Sequence, residues 1–116
     1  MGFHRAGNRT FWVDVYAHME DVGIEGNVLA SGNDAMDKAA EDLVREELED
    51  GNEWAWCTIQ VEVTDMDSDN ENVESEYLGC CNYRSKKDFV KSEGYYSDMV
   101  NECFERLEVV FLKESA

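Results

Sequence analysis

The chain has 116 residues, 43% hydrophobic and 11% aromatic, enough apolar material for one modest core and a single domain over residues 1–116. Aspartate and glutamate number 27 against 10 lysines and arginines, a formal net charge of −17, and such a chain repels nucleic acid and anionic membranes. The apolar content and the absence of proline exclude a disordered or low-complexity segment.

The distribution of charge says more than its total. Residues 1–9 carry Arg5 and Arg9 and no acid, whereas residues 10–83 hold 20 acids against Lys38 and Arg45 alone. Residues 84–116 are nearly balanced, with seven acids and six bases. The N-terminus, MGFHRAGNRT, lacks the apolar centre of a signal peptide, and no stretch approaches the ~20 apolar residues of a membrane span. The expectation is a cytoplasmic protein whose Cys57, Cys80, Cys81 and Cys103 stay reduced.

Residues 11–20, FWVDVYAHME, alternate apolar and polar and read as a half-buried strand. A second short strand over Gly23–Ala30 would pair with it across Asp21, Val22 and Gly23. Asn33 then caps a helix over 34–50, with Asp34 and Asp37 at its positive end and Gly51 closing it. Met36, Ala39, Ala40, Leu43, Val44 and Leu48 recur at helical spacing and form its expected inward stripe.

Residues 54–64, WAWCTIQVEVT, alternate again, with Ala55, Cys57, Ile59, Val61 and Val63 on one face. An acidic loop follows, and 73–84 reads as the antiparallel partner, with Leu78 and Cys80 inward. Ser85 and Asp88 form a capping box for a short helix over 86–92. Gly94 breaks it, and Tyr96, Met99, Val100, Cys103, Phe104, Leu107, Val110 and Phe111 mark a last helix to about residue 113. The class is α+β: an antiparallel four-stranded sheet with two main helices, in the order ββαββα.

Three constellations bear on chemistry. Asp65, Asp67, Asp69 and Glu76 match positions 1, 3, 5 and 12 of an EF-hand loop, a pattern that wraps calcium, but Asn70 stands where glycine is required and strands flank it. Asp14, Tyr16, His18 and Glu20 share one strand face, where His18 supplies a general acid or base in a small-enzyme reading. His4 is the second histidine. No Cys-x-x-Cys spacing, phosphate loop or nucleophile elbow is found, so neither cofactor nor catalysis is expected.

The third constellation is an acidic belt. The first helix and its end supply Asp34, Asp37, Glu41, Asp42, Glu46, Glu47, Glu49, Asp50 and Glu53. The second hairpin supplies Glu62, Asp65, Asp67, Asp69, Glu71, Glu74 and Glu76. Carboxylates in this density complement a basic protein surface, with Trp54 and Trp56 as apolar anchors on a sheet face that also carries Trp12 and Tyr16. An open sheet face also admits a homodimer.

In size, acidity and the run from Asp34 to Glu76, the chain resembles small acidic proteins of phages and mobile elements that disarm bacterial defence. These include DNA-mimic anti-restriction proteins and anti-CRISPR inhibitors. The stretches WAWCTIQVEV, EYLGCCNYRSKKDF and GYYSDMV resemble short phage and prophage proteins. The resemblance implies a host partner with a basic nucleic-acid-binding surface, such as a CRISPR effector or a restriction enzyme, and inhibition without turnover.

Overall fold

The computed structural model describes residues 1–6, 9–68, 73–92 and 94–115. Its strands are β1 (Gly2–Ala6), β2 (Arg9–Met19), β3 (Cys57–Asp65) and β4 (Val73–Cys81). They form one antiparallel sheet in the order β1-β2-β3-β4. The helices are α1 (Asp34–Glu49), the short α2 (Lys86–Lys91) and α3 (Tyr95–Ser115). The α+β class, the ββαββα order and the two main helices are as the sequence indicates.

The first strand pair differs from expectation. Gly23–Ala30 is not a strand; β1 precedes β2 and pairs with it antiparallel, Phe3 opposite Trp12 and Gly2 opposite Val13. The reason is local. Asn27 donates its side-chain amide to the Gly23 and Glu25 carbonyls, its N–H donates to Ile24 O, and Gly26 takes φ 77°. Side-chain bonds of this kind draw the backbone into a turn and away from a ladder.

The chain divides into two compact units. One comprises Met1–Tyr16, Gln60–Tyr77 and Val90–Ala116. Its core is built on strand alternation: Phe11, Val13, Val15, Val61 and Val63 are buried, as are Met99, Val100, Cys103 and Leu107 of α3, which recur at helical spacing. Phe104 of α3 stands edge-on to Phe11 at 5.0 Å and near His4 at 6.0 Å. Arg106 ties α3 to β4, donating to Glu74 at 3.0 Å, to Glu76, and to the Ser75 carbonyl at 2.8 Å. Its two carboxylate partners raise the Arg106 pKa above the ordinary guanidinium value. The side chains of Val110 and Phe111 lie outside the described residues.

The other unit comprises Ala17–Ile59 and Leu78–Phe89. Asn33 caps α1 as expected, accepting from the N–H groups of Ala35 and Met36, and Gly51 follows the helix at φ 94°. Ser85 also caps α2: the Asp88 N–H donates to its hydroxyl at 3.1 Å. The strand expected from residue 54 begins only at Cys57, because Asn52 caps a 3-10 turn over Glu53–Ala55. That turn packs Trp54 against the fully buried Phe89, ring centroids 6.5 Å apart, with Tyr83 edge-on to Phe89 at 5.1 Å.

Cys80 is the one non-glycine residue with positive φ among the described residues, at 53°. This left-handed residue breaks the alternation of β4 as a bulge does. Cys80, expected inward, is therefore exposed, and Cys81 is buried instead. Glu20 holds the distortion: its carboxylate accepts from the Cys80 N–H at 2.7 Å, the Thr58 hydroxyl at 2.6 Å and the Val22 N–H at 3.1 Å.

Two expectations follow. Burial raises the thiols of Cys57 to about 12 and of Cys81 and Cys103 to about 11, so alkylation of the native protein at neutral pH should modify Cys80 alone, read by mass spectrometry. Modification of all four before denaturant is added contradicts the core. The N–H of Cys80 first, then the Thr58 hydroxyl, holds the Glu20 carboxyl below the usual glutamate value. A lowered folded pKa contributes stability above the unfolded value of about 4.3, lost as the pH falls through the folded value. Glu20→Gln should therefore unfold at lower urea than the parent at pH 7, and the gap should close in acid; a gap independent of pH contradicts the assignment.

Candidate functional site

The structure sorts the acidic belt into two populations. The first is held by the chain itself. Arg9 donates to Asp65, which is fully buried and also accepts the Asp67 N–H at 2.9 Å. Asp67 accepts the Thr10 N–H at 2.7 Å, and Glu74 and Glu76 are the partners of Arg106. Asp37 accepts from the N–H and hydroxyl of Ser31. Glu41 is 7% exposed and accepts the Gly26 N–H at 2.6 Å. These acids fasten loops and neutralise cations within the chain.

Within the 65–76 loop of the calcium reading, the described acids have partners of their own. Asp65 and Glu76 answer to two different arginines and Asp67 to a backbone amide, while Asp69 and Glu71 lie outside the described residues. Among the described residues, no group of three or more His, Cys, Asp or Glu is arranged to hold a metal ion.

The second population lies on α1. Asp34, Asp42, Glu46, Glu49 and Asp50 are exposed, as is Glu53 just beyond the helix. Among the described residues Asp42 pairs with Arg45 at 3.1 Å, and the other five have no ion pair. Glu47 is half-buried, 3.4 Å from the Asn82 amide. The last turn of α1 contains no basic residue. Glu46, Glu49 and Asp50 thus stand where the helix dipole is negative and disfavours them, by about 0.3–1 kcal/mol for each exposed charge at low salt. They also stand 3 and 4 residues apart, where like charges repel.

The inward stripe of α1 is also rotated from expectation. Glu41, Val44 and the half-buried Ala40 and Leu48 face inward, whereas Met36 is 56% and Leu43 57% exposed. The bond from Gly26 to Glu41 requires position 41 inside, and position 43 lies about 160° around the helix from it. The exposed face of α1 therefore combines Met36, Ala39 and Leu43 with Asp42, Glu46, Glu49 and Asp50.

The expected tryptophan anchors are taken up in packing to different degrees. Trp56 is 6% exposed and its indole N–H donates to the Val22 carbonyl at 2.8 Å, so it is structural rather than an anchor. Trp54 is half-buried against Phe89. Both side chains were read as strand residues, and the 3-10 turn redirects them.

His18 is exposed, and the carboxylates of its expected row have other duties. Glu20 is engaged as described, and Asp14 accepts the Val15 N–H at 2.8 Å. The Tyr16 hydroxyl is pushed up, first by burial and then by Asp14 and Glu62, which makes it a weaker acid. Compared with protein-family models, curated proteins and solved structures, the chain matches none. Among the described residues, no helix is long and apolar enough to cross a membrane.

A stability measurement separates the two populations. Neutralising the second, as Glu46→Gln/Glu49→Gln/Asp50→Asn, should leave the melting temperature at low salt unchanged or raise it, by the equivalent of up to about 1–2 kcal/mol. A lower melting temperature would show that these carboxylates support the fold.

Proposed function

We propose that the chain is a binding protein of the phage or mobile-element type. It occupies the nucleic-acid-binding surface of a host defence protein, such as a CRISPR effector or a restriction enzyme, by presenting the acidic face of α1. The observation that carries this reading is the position of Glu46, Glu49 and Asp50: exposed, without ion pairs among the described residues, and at the end of the helix that disfavours them. Local rules of stability are most often broken where a site is needed. Acids placed for solubility alone need not gather at such a point.

The charge density fits one strand of nucleic acid. Asp42, Glu46, Glu49 and Asp50 span about 12 Å of helix axis at ~1.5 Å per residue. With Glu47 counted and Arg45 set against the five acids of this stretch, the net charge is −4, roughly one per 3 Å, close to the one per 3.4 Å of a single strand and about half the density of a duplex. Arginines and lysines spaced for phosphates can then bond these carboxylates. Met36 and Leu43 beside them supply apolar contact. The mechanism is steric and electrostatic block, without turnover.

The test is capture from bacterial lysate with the tagged chain, washed over a range of salt. The expected result is a nucleic-acid-binding protein released by salt or by added DNA, and lost with Glu46→Gln/Glu49→Gln/Asp50→Asn. A partner retained equally by that variant and indifferent to DNA would overturn the reading.

A further inference from the structure

The unit built on Met1–Tyr16, Gln60–Tyr77 and Val90–Ala116 has a second sheet face, turned away from α3. Alternation places Phe11, Val13 and Val15 on the buried face, where Phe11 meets Phe104 of α3, so Trp12 and Tyr16 lie on the other face. On that side an open trough of about 480 Å³ is lined by Phe3, Trp12, Glu62, Thr64, Met66 and Val73. Phe3 is 66%, Val73 44% and Met66 41% exposed. Phe3 and Trp12 meet edge to face, centroids 4.8 Å apart and planes 68° from each other, so they form two walls at a steep angle.

We propose that this trough receives an arginine side chain of a protein partner. A purely apolar trough would suit an aliphatic side chain, but a carboxylate lies in this one. Glu62 is half-buried, and its neighbour in the sheet is the Gln60 amide at 3.4 Å, not a cation. Asp14, further along the same face, already lies 3.8 Å from the Met1 amino group, which leaves Glu62 as the acid for a ligand. Aromatic walls attract a cation through the negative face of the ring. A guanidinium is flat, stacks on an indole, and bonds a carboxylate with two parallel N–H groups, whereas an ammonium does neither. Thr64 adds a hydroxyl to the same wall. A second copy of this chain is a poor occupant, because it brings the same charge of −17.

The proposal rests on the partner reading above for its setting, but its test requires no partner. The full chain, labelled with nitrogen-15, is titrated with the peptide acetyl-Gly-Arg-Gly-amide and with its lysine counterpart. The three indole N–H signals are followed, that of Trp12 being assigned with Trp12→Phe. The expected result is a saturating shift at Trp12 with the arginine peptide, at least roughly twofold tighter than with lysine. Glu62→Gln should weaken it roughly two- to fivefold while the remaining spectrum stays folded. Glu46→Gln/Glu49→Gln/Asp50→Asn should leave it unchanged, so failure of the α1 reading and failure of this one are separable. No shift at Trp12, equal binding of both peptides, no effect of Glu62→Gln, or a shift that follows the concentration of the chain itself would each overturn the proposal.

Discussion

Ten cations stand against 27 carboxylates, and where the few guanidiniums go determines what remains exposed. Arg106 joins α3 to β4 through Glu74 and Glu76, and Arg9 meets the buried Asp65 at the end of β3. These carboxylates would otherwise repel one another beside a hydrophobic core. Once paired, they hold elements that are distant in sequence. Glu20, Asp37, Glu41 and Asp67 take a further share by accepting backbone N–H groups in loops and at the bulge. What is left without an internal role lies chiefly at the end of α1.

This division explains how one composition serves two purposes. A carboxylate bonded to backbone amides or to a guanidinium contributes to folding and presents little charge outward. A carboxylate at the negative end of a helix contributes nothing to folding and opposes it slightly. Glu46, Glu49 and Asp50 belong to the second kind, and the apolar Met36 and Leu43 are exposed on the same helix. The proposed docking face thus combines unpaired charge with exposed apolar side chains.

Much of the fold was legible in the sequence, and the failures share a cause. The alternation in β3 identified its buried residues, because period-2 patterning acts through every residue of a strand. Asn33, Gly51 and Ser85 marked helix ends through their own side-chain or backbone chemistry. Gly23–Ala30 misled because Asn27 and Glu41 settle that segment, and Glu41 is 15 residues away from the Gly26 amide it accepts. The same bond turned α1 and exposed Met36 and Leu43. Cys80 and Cys81 exchanged places because Glu20, distant in sequence, holds a left-handed residue in β4.

The site was legible to a lesser degree. Composition located the acidic belt, but it did not separate acids that serve the fold from acids that face outward. That separation depends on Arg9 and Arg106, whose partners lie 56 and about 30 residues away. Phe3 was missed because residues 2–6 carry no clear alternation, and only the pairing with Trp12 gives it a role. The most direct test of the account is amide hydrogen exchange on the chain, free and bound to the protein it captures. The account predicts new protection across residues 42–53 of α1 and its end. Protection confined to other segments, with 42–53 exchanging as in the free chain, would contradict it.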